Sequence, residues 1–287
     1  MKSGVVAIVG RPNVGKSTLL NAILKQKVAI TSPKPQTTRF PIQAVFEDDR
    51  GQIVFVDTPG IFGKTPDTLS QKINKKTEEV LAEEVDLILY VIDHTREREH
   101  EENRVFGMVR KSSIPKILVV NKMDITSPSH IVQYRFMRDE FDTVVELSAM
   151  TGAHINKLLT LIFDILPEGA ALVDVKDMVQ PAINLTSKQF VAEIIREKAF
   201  LNLRKEVPYS VTAVVDEVTE RENGNLYIQA RLLTNQDKYK GMLVGSGGSM
   251  IREISMAARK ELEVASSKKV FLELTVEVDP HWMEFMV

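Results

Sequence analysis

In the first half of the chain, short β-branched apolar runs alternate with stretches whose apolar residues recur every three or four positions. The runs at 5–9, 53–56, 87–92, 117–120 and 144–147 have the length and composition of buried strands. The intervening stretches at 17–25, 72–83, 99–111, 130–141 and 155–166 predict helices. Strand–helix alternation of this kind predicts an α/β domain with a mostly parallel sheet flanked by helices. A further run at 43–47, joined to 53–56 through 48-DDRG-51, predicts an antiparallel hairpin at the sheet's edge.

The rhythm stops at 167-PEGAALVDVKDMVQP-181, where Pro167, Gly169 and Pro181 interrupt any regular element. This places a first domain at 1–167, a linker at 168–185 and a smaller domain at 186–287. The smaller domain reads as a helix (190–202), two strands (209–217 and 225–233), a glycine turn, a helix and a last strand (270–278). Strands so close in sequence predict an α+β fold.

A length of 287 residues suits two cores better than one, and 44% apolar with 26% charged residues is the balance of a globular chain. The absence of cysteine excludes disulfides and thiolate metal sites and fits a reducing compartment. His94, His100, His130, His154 and His281 show no pairing at zinc-ligand spacing. No apolar run reaches the ~18 residues of a membrane span. The first strand begins almost at once, so no signal peptide is expected. With a net charge of −2, any nucleic-acid surface must arise from patterning rather than bulk charge.

Chemistry concentrates first at 10-GRPNVGKST-18, a G-x-x-x-x-G-K-[ST] phosphate loop between a strand and a helix. Gly10 and Gly15 let the backbone around Asn13 and Val14 curl so that N–H groups face phosphate oxygens, and the helix N-terminus through Thr18 adds its positive end. Lys16 is a point charge for the β- and γ-phosphates, and Ser17 offers a hydroxyl to Mg²⁺. At 57-DTPG-60, Asp57 can hold Mg²⁺ through water and Gly60 can present its N–H to the γ-phosphate. At 121-NKMD-124 (Asn121, Lys122, Asp124), the Asp124 carboxylate matches the two adjacent donors of guanine, which adenine lacks. The strand end 148-SAM-150 (Ser148, Ala149, Met150) brings backbone N–H groups towards the guanine oxygen. Ile61 stands where a Ras-type protein carries its water-positioning glutamine, so slow intrinsic turnover is expected.

The set GRPNVGKS, QTTR (36–39), DTPG, NKMD and SAM resembles the translation-factor-related GTPases whose catalytic glutamine is replaced by a hydrophobic residue. With 193-EIIREKAF-200, 207-VPYSV-211, the second glycine stretch, 257-AARKEL-262 and 271-FLELTVEV-278, the likeness narrows to the Era GTPases. The resemblance implies a P-loop GTPase domain followed by a type II KH domain of order α-β-β-α-α-β. It implies a cytoplasmic, monomeric ribosome-assembly enzyme that uses GTP/GDP and Mg²⁺. It also implies binding of small-subunit ribosomal RNA near its 3′ end, action on the small ribosomal subunit, and peripheral membrane contact. By motif position it makes Thr38 a Mg²⁺ ligand and joins Thr38 to Lys16 and Gly60 in the catalytic machinery. Through Asn13 it implies a K⁺ ion beside the nucleotide. An RNA-binding assembly scaffold whose G domain binds nucleotide but hardly hydrolyses it is the alternative that Ile61 leaves open.

The second glycine stretch, 244-VGSGGSMIREI-254, is the expected RNA clamp. In KH domains a G-x-x-G loop grips the sugar–phosphate backbone of about four nucleotides. Gly245, Ser246, Gly247 and Gly248 fit that loop, with Lys240, Arg252 and Arg259 as neighbouring cations. Ser246 and Gly247 stand where members of the family commonly carry a basic residue. The helix that follows is expected to bury Ile251, Ile254, Ala258 and Leu262.

Overall fold

The computed structural model describes residues 1–31, 39, 41–59, 79, 85–174 and 183–285. These fall into two compact units, Met1–Asn184 and Leu185–Val287.

In the first unit, β1 (Lys2–Val9), β3 (Gly51–Asp57), β4 (Leu87–Asp93), β5 (Lys116–Asn121) and β6 (Thr143–Glu146) form a parallel sheet. Strand β2 (Ile42–Asp48) joins antiparallel to β3 as the hairpin read from the sequence, giving the order β2-β3-β1-β4-β5-β6. Strands β3 and β4 are buried along their whole length, which is why they read as continuous apolar runs rather than alternating ones. Among the described residues the helices are α1 (Lys16–Leu24), α2 (His100–Lys111), α3 (Arg135–Arg138) and α4 (Ile155–Ile165). Tyr90, Val105, Phe106, Tyr134, Met137 and Phe141 are buried together against β1, β4 and β5.

The expected helix at 130–141 is corrected: a 3₁₀ turn at Ile131–Tyr134 runs into the single turn of α3. Its periodicity was real, because Tyr134, Met137 and Phe141 are the buried residues, but the backbone follows it only in part. The expected helix at 72–83, apart from Glu79, lies outside the described residues.

The edge strand β2 is partly covered by the chain on its way out of this unit. Ile183 bridges Ala44, Asn184 N–H donates to Gln43 O at 3.0 Å, and the Asn184 side-chain Oδ1 accepts from Gln43 N–H at 3.0 Å. The buried Gln52 side chain accepts from Leu172 and Val173 N–H and donates to Val173 O.

In the second unit, Thr186 caps α5 (Ser187–Asn202) through a capping box with Gln189, so the helix starts three residues earlier than its periodicity alone predicts. After a 3₁₀ turn, β7 (Val211–Glu220) pairs antiparallel with β8 (Leu226–Thr234) across a bulge between Val215 and Glu217. Then come α6 (Asp237–Val244), the glycine loop, α7 (Ser249–Ser266) and β9 (Val270–Val278), which lies parallel to β8. A parallel pair needs a long crossover, and α6–α7 supplies it. Helix α6 corrects the α-β-β-α-β order read from the pattern; the family resemblance had implied it. Only Tyr239 and Leu243 of α6 are buried, too few for a helical signal. Ile254, Ala258 and Leu262 are buried as expected, with Ile251 half-buried, and a last turn, α8 (Trp282–Phe285), buries Trp282.

Candidate functional site

The carboxyl ends of the parallel strands converge. Ile8 is in register with Asp57, and Asp93 with Asn121, so the phosphate loop after β1, Asp57 and the NKMD segment share one rim of the sheet. In an open α/β sheet this rim is where ligands bind.

At its centre Lys16 is buried, and its Nζ donates to Gly10 O (2.9 Å) and Arg11 O (3.0 Å). Burial pulls the ammonium down to about 8, opposed by Asp57 and then Glu102. Ser17 Oγ donates to Asp57 Oδ2 at 2.6 Å, while Asp57 Oδ1 is buried with no hydrogen-bond partner among the described residues. Burial pushes the Asp57 carboxyl up to about 6, although Lys16 and the Ser17 hydroxyl both favour its charge. Thr58 Oγ1 ties the end of β3 back to Ile8 O at 2.8 Å. Gly15 closes the loop at φ +97°, and a Cβ there would stand 2.3 Å from Asn121 Nδ2. Asn13 also takes a left-handed backbone (φ +65°). Val14 is buried, and Thr18 follows Ser17 in α1.

Asn121 joins this loop to the base side. Its Nδ2 donates to Val14 O (2.8 Å) and its Oδ1 accepts from Ala149 N–H (3.0 Å). Ser148 N–H goes to Ala153 O, and Ser148 Oγ donates to Asp124 Oδ1 at 2.5 Å. Asp124 itself is exposed, and Met150 is largely exposed. Lys122, at φ +66°, reaches back to Asp93 at 2.6 Å. Burial raises the Asp93 carboxyl, but Lys122 and Thr95 outweigh it and hold the group below its ordinary value. Thr38 and Gly60, with Ile61, lie outside the described residues.

Behind the loop stands a group that the sequence reading did not single out. Arg11 is fully buried, with Nε 2.9 Å from Glu102 Oε2, although that N–H is not aligned for a hydrogen bond. Its Nη1 donates to Glu97 O (2.9 Å) and its Nη2 to Tyr134 Oη (3.1 Å).

In the second unit the glycine loop projects between α6 and α7. Ser246 and Gly247 are exposed, and a Cβ on Gly247 or Gly248 would meet nothing. Gly245 differs: at φ +73° its Cβ would stand 2.7 Å from Met250 N, so its bareness serves the chain's own return into α7. Lys240 and Arg252 are exposed and make no hydrogen bond or ion pair among the described residues. Arg259 lies 4.0 Å from Glu263, and Lys268 is paired with Glu220 at 2.6 Å.

Residues 5–122 match the family described as 50S ribosome-binding GTPase, and residues 206–283 match the KH domain. The chain is 39% identical to the GTPase Era of Halothermothrix orenii, over 99% of this chain and 95% of that one. It is 42% identical to that of Deinococcus deserti, over 98% and 92%. This chain belongs to the GTPase Era family. It is accordingly a GTPase with an N-terminal P-loop domain and a C-terminal KH domain. Among solved structures, an Aquifex aeolicus Era variant bound to GDP and AlF₄⁻ superposes with a TM-score of 0.90 at 36% identity, covering 99% of this chain and 96% of that one. An Era complex with MgGDPNP and nucleotides 1506–1542 of 16S ribosomal RNA gives 0.89, also at 36% identity, covering 99% and 95%.

Proposed function

We propose that this Era-family GTPase is a ribosome-assembly factor. Its G domain binds and slowly hydrolyses GTP, and its KH domain holds small-subunit ribosomal RNA near the 3′ end during small-subunit maturation. The observation that carries the reading is the coexistence, in one chain, of a buried phosphate loop and an exposed glycine loop. The chain's full-length similarity to an Era solved with both MgGDPNP and a 16S RNA fragment supports it.

In this reading Lys16 and the N–H groups of residues 13–18 hold the nucleotide phosphates, and the Asp124 carboxylate reads guanine. Ala149 N–H, which donates to Asn121 Oδ1, would also serve the guanine oxygen. The buried, unpartnered Asp57 Oδ1 and the Ser17 hydroxyl on Asp57 Oδ2 form the donor set that a hard divalent cation takes. Ser17, Asp57 and Thr38 would hold Mg²⁺, which when bound neutralises charge on the phosphate oxygens. Gly60 N–H would face the γ-phosphate, and Asn13 would hold K⁺. The clamp for RNA is Ser246, Gly247 and Gly248 with Lys240, Arg252 and Arg259, while Gly245 shapes the loop. Cytoplasmic placement, a monomeric state and peripheral membrane contact follow from the family resemblance.

The test is GTP hydrolysis in KCl against NaCl, with and without an RNA matching the small-subunit 3′ end. The expected result is slow turnover, faster in KCl and faster again with RNA. Absence of turnover in every condition would leave a nucleotide-binding RNA scaffold instead.

A further inference from the structure

The phosphate-loop motif specifies what touches phosphate and leaves the residue after its first glycine unconstrained. In this chain that residue is the most enclosed cation among the described residues of the unit. Arg11 is fully buried, and three separate segments close around its guanidinium: Glu97 O from the loop after β4, Glu102 from α2, and Tyr134 Oη from the turn after the guanine-reading loop. A buried arginine is costly unless its charge and donors are met; here Glu102 meets the charge, and Glu97 O and Tyr134 Oη each take a donor.

What this anchoring fixes is the loop's own backbone. Lys16 Nζ is held by two successive carbonyls, Gly10 O and Arg11 O, which flank the Arg11 Cα. The next carbonyl, Pro12 O, accepts from Arg96 Nη1 at 2.9 Å, and Arg96 O in turn accepts from Tyr134 Oη at 2.9 Å. A trans peptide is planar, with its C=O and N–H pointing opposite ways. Holding Pro12 O towards Arg96 therefore aims the Asn13 N–H to the other side of that peptide. We propose that Arg11, seated on Glu102 and Tyr134, is a positioning residue for GTP hydrolysis. It sets the carbonyls that aim the Lys16 ammonium and, with Arg96, registers the phosphate loop against the guanine-reading side.

The inference rests on GTP hydrolysis and is independent of the RNA reading. The distinguishing readout is how an effect divides between kcat and KM. A lysine that is merely absent loses binding and rate together, whereas a lysine present but misaimed loses chiefly what develops in the transition state. Displacement of a reacting group by about 1 Å costs up to roughly 100-fold.

The experiment measures steady-state GTP hydrolysis, GDP affinity and thermal unfolding for full-length Arg11→Met, Arg11→Lys and Tyr134→Phe beside the wild type. Arg11→Met keeps an unbranched stem, stops short of the guanidinium and removes its donors. Its kcat is expected to fall about 10- to 100-fold, with KM and GDP affinity changing far less. Arg11→Lys, which keeps the charge opposite Glu102, is expected to recover part of the loss. A folded Arg11→Met with wild-type kcat would overturn the proposal, as would a lowered melting temperature with no kinetic change. Should Arg11→Met fail to fold, Tyr134→Phe removes a single oxygen and carries the test. An approximately threefold fall in kcat is expected there, and an unchanged kcat refutes the positioning role. Wild-type turnover in the same assay separates failure of this inference from failure of the enzyme reading.

Discussion

Two glycine loops in this chain each feed a helix, yet they are built in opposite ways. The loop at residues 10–17 is enclosed: its lysine is buried, its carbonyls have assigned donors, and a buried carboxylate stands beside it. The loop at residues 245–248 is open, without a charged residue inside it, and two of its glycines face empty space. The first suits a small ligand with few exposed atoms, because its lysine and its carbonyls are already held in place by the chain. The second suits a long flexible polyanion, whose backbone can lie along an uncluttered ridge and take its charge partners from Lys240 and Arg252 nearby. One anion-binding device, a helix N-terminus behind glycines, thus acquires its specificity from what surrounds it.

Substitutions can break this contrast on either side. The largest effect is expected from Lys16→Ala: hydrolysis should fall by about 100- to 1,000-fold, while nucleotide-free RNA binding, measured by filter retention, stays at the wild-type level. Next, Ser246→Asp combined with Gly247→Asp places two negative charges where the loop is open. RNA affinity should fall roughly tenfold or more while GTP affinity, read by calorimetry, is unchanged.

The smallest effect sharpens the contrast through pH. Asp57 has a folded value of about 6, raised by burial, and Mg²⁺ needs the carboxylate rather than the acid. Protons therefore compete with Mg²⁺·GTP as pH falls through about 6, where affinity should be roughly halved. Proton release on binding, seen as a buffer-dependent heat, should accompany it, and Asp57→Asn should abolish the release. RNA binding by the open loop, which contains no titratable group, should lack this limb.

What could be read from the sequence follows the same division. Gly15, Lys16, Ser17, Asp57, Asn121 and Asp124 were legible because their chemistry demands those residue types at those spacings. Gly245 was legible as a glycine but not in its role, since only the approach of Met250 N shows that it serves the chain rather than a ligand. Arg11 could not be read at all. Its partners Glu97, Glu102 and Tyr134 are distant in sequence, and an arginine inside a polar loop ordinarily reads as solvent-exposed. In the fold, the buried runs at β3 and β4 announced themselves, whereas α6 did not. Gly241 and just two buried residues gave it no helical stripe. The segment at 130–141 shows the converse, a helical apolar period carried by a backbone that is only partly helical.

The exit of the chain along β2 has a consequence for how this sheet meets other proteins. Strand edges carry rows of unpaired main-chain donors and acceptors, and a neighbouring molecule can add a strand there, productively or as the first step of aggregation. At Gln43 and Ala44 that row is already taken by Asn184 and Ile183 of the same chain. The segment that leads to the second unit thus also acts as a selvedge, finishing the sheet's margin at Gln43 with one main-chain and one side-chain bond of its own.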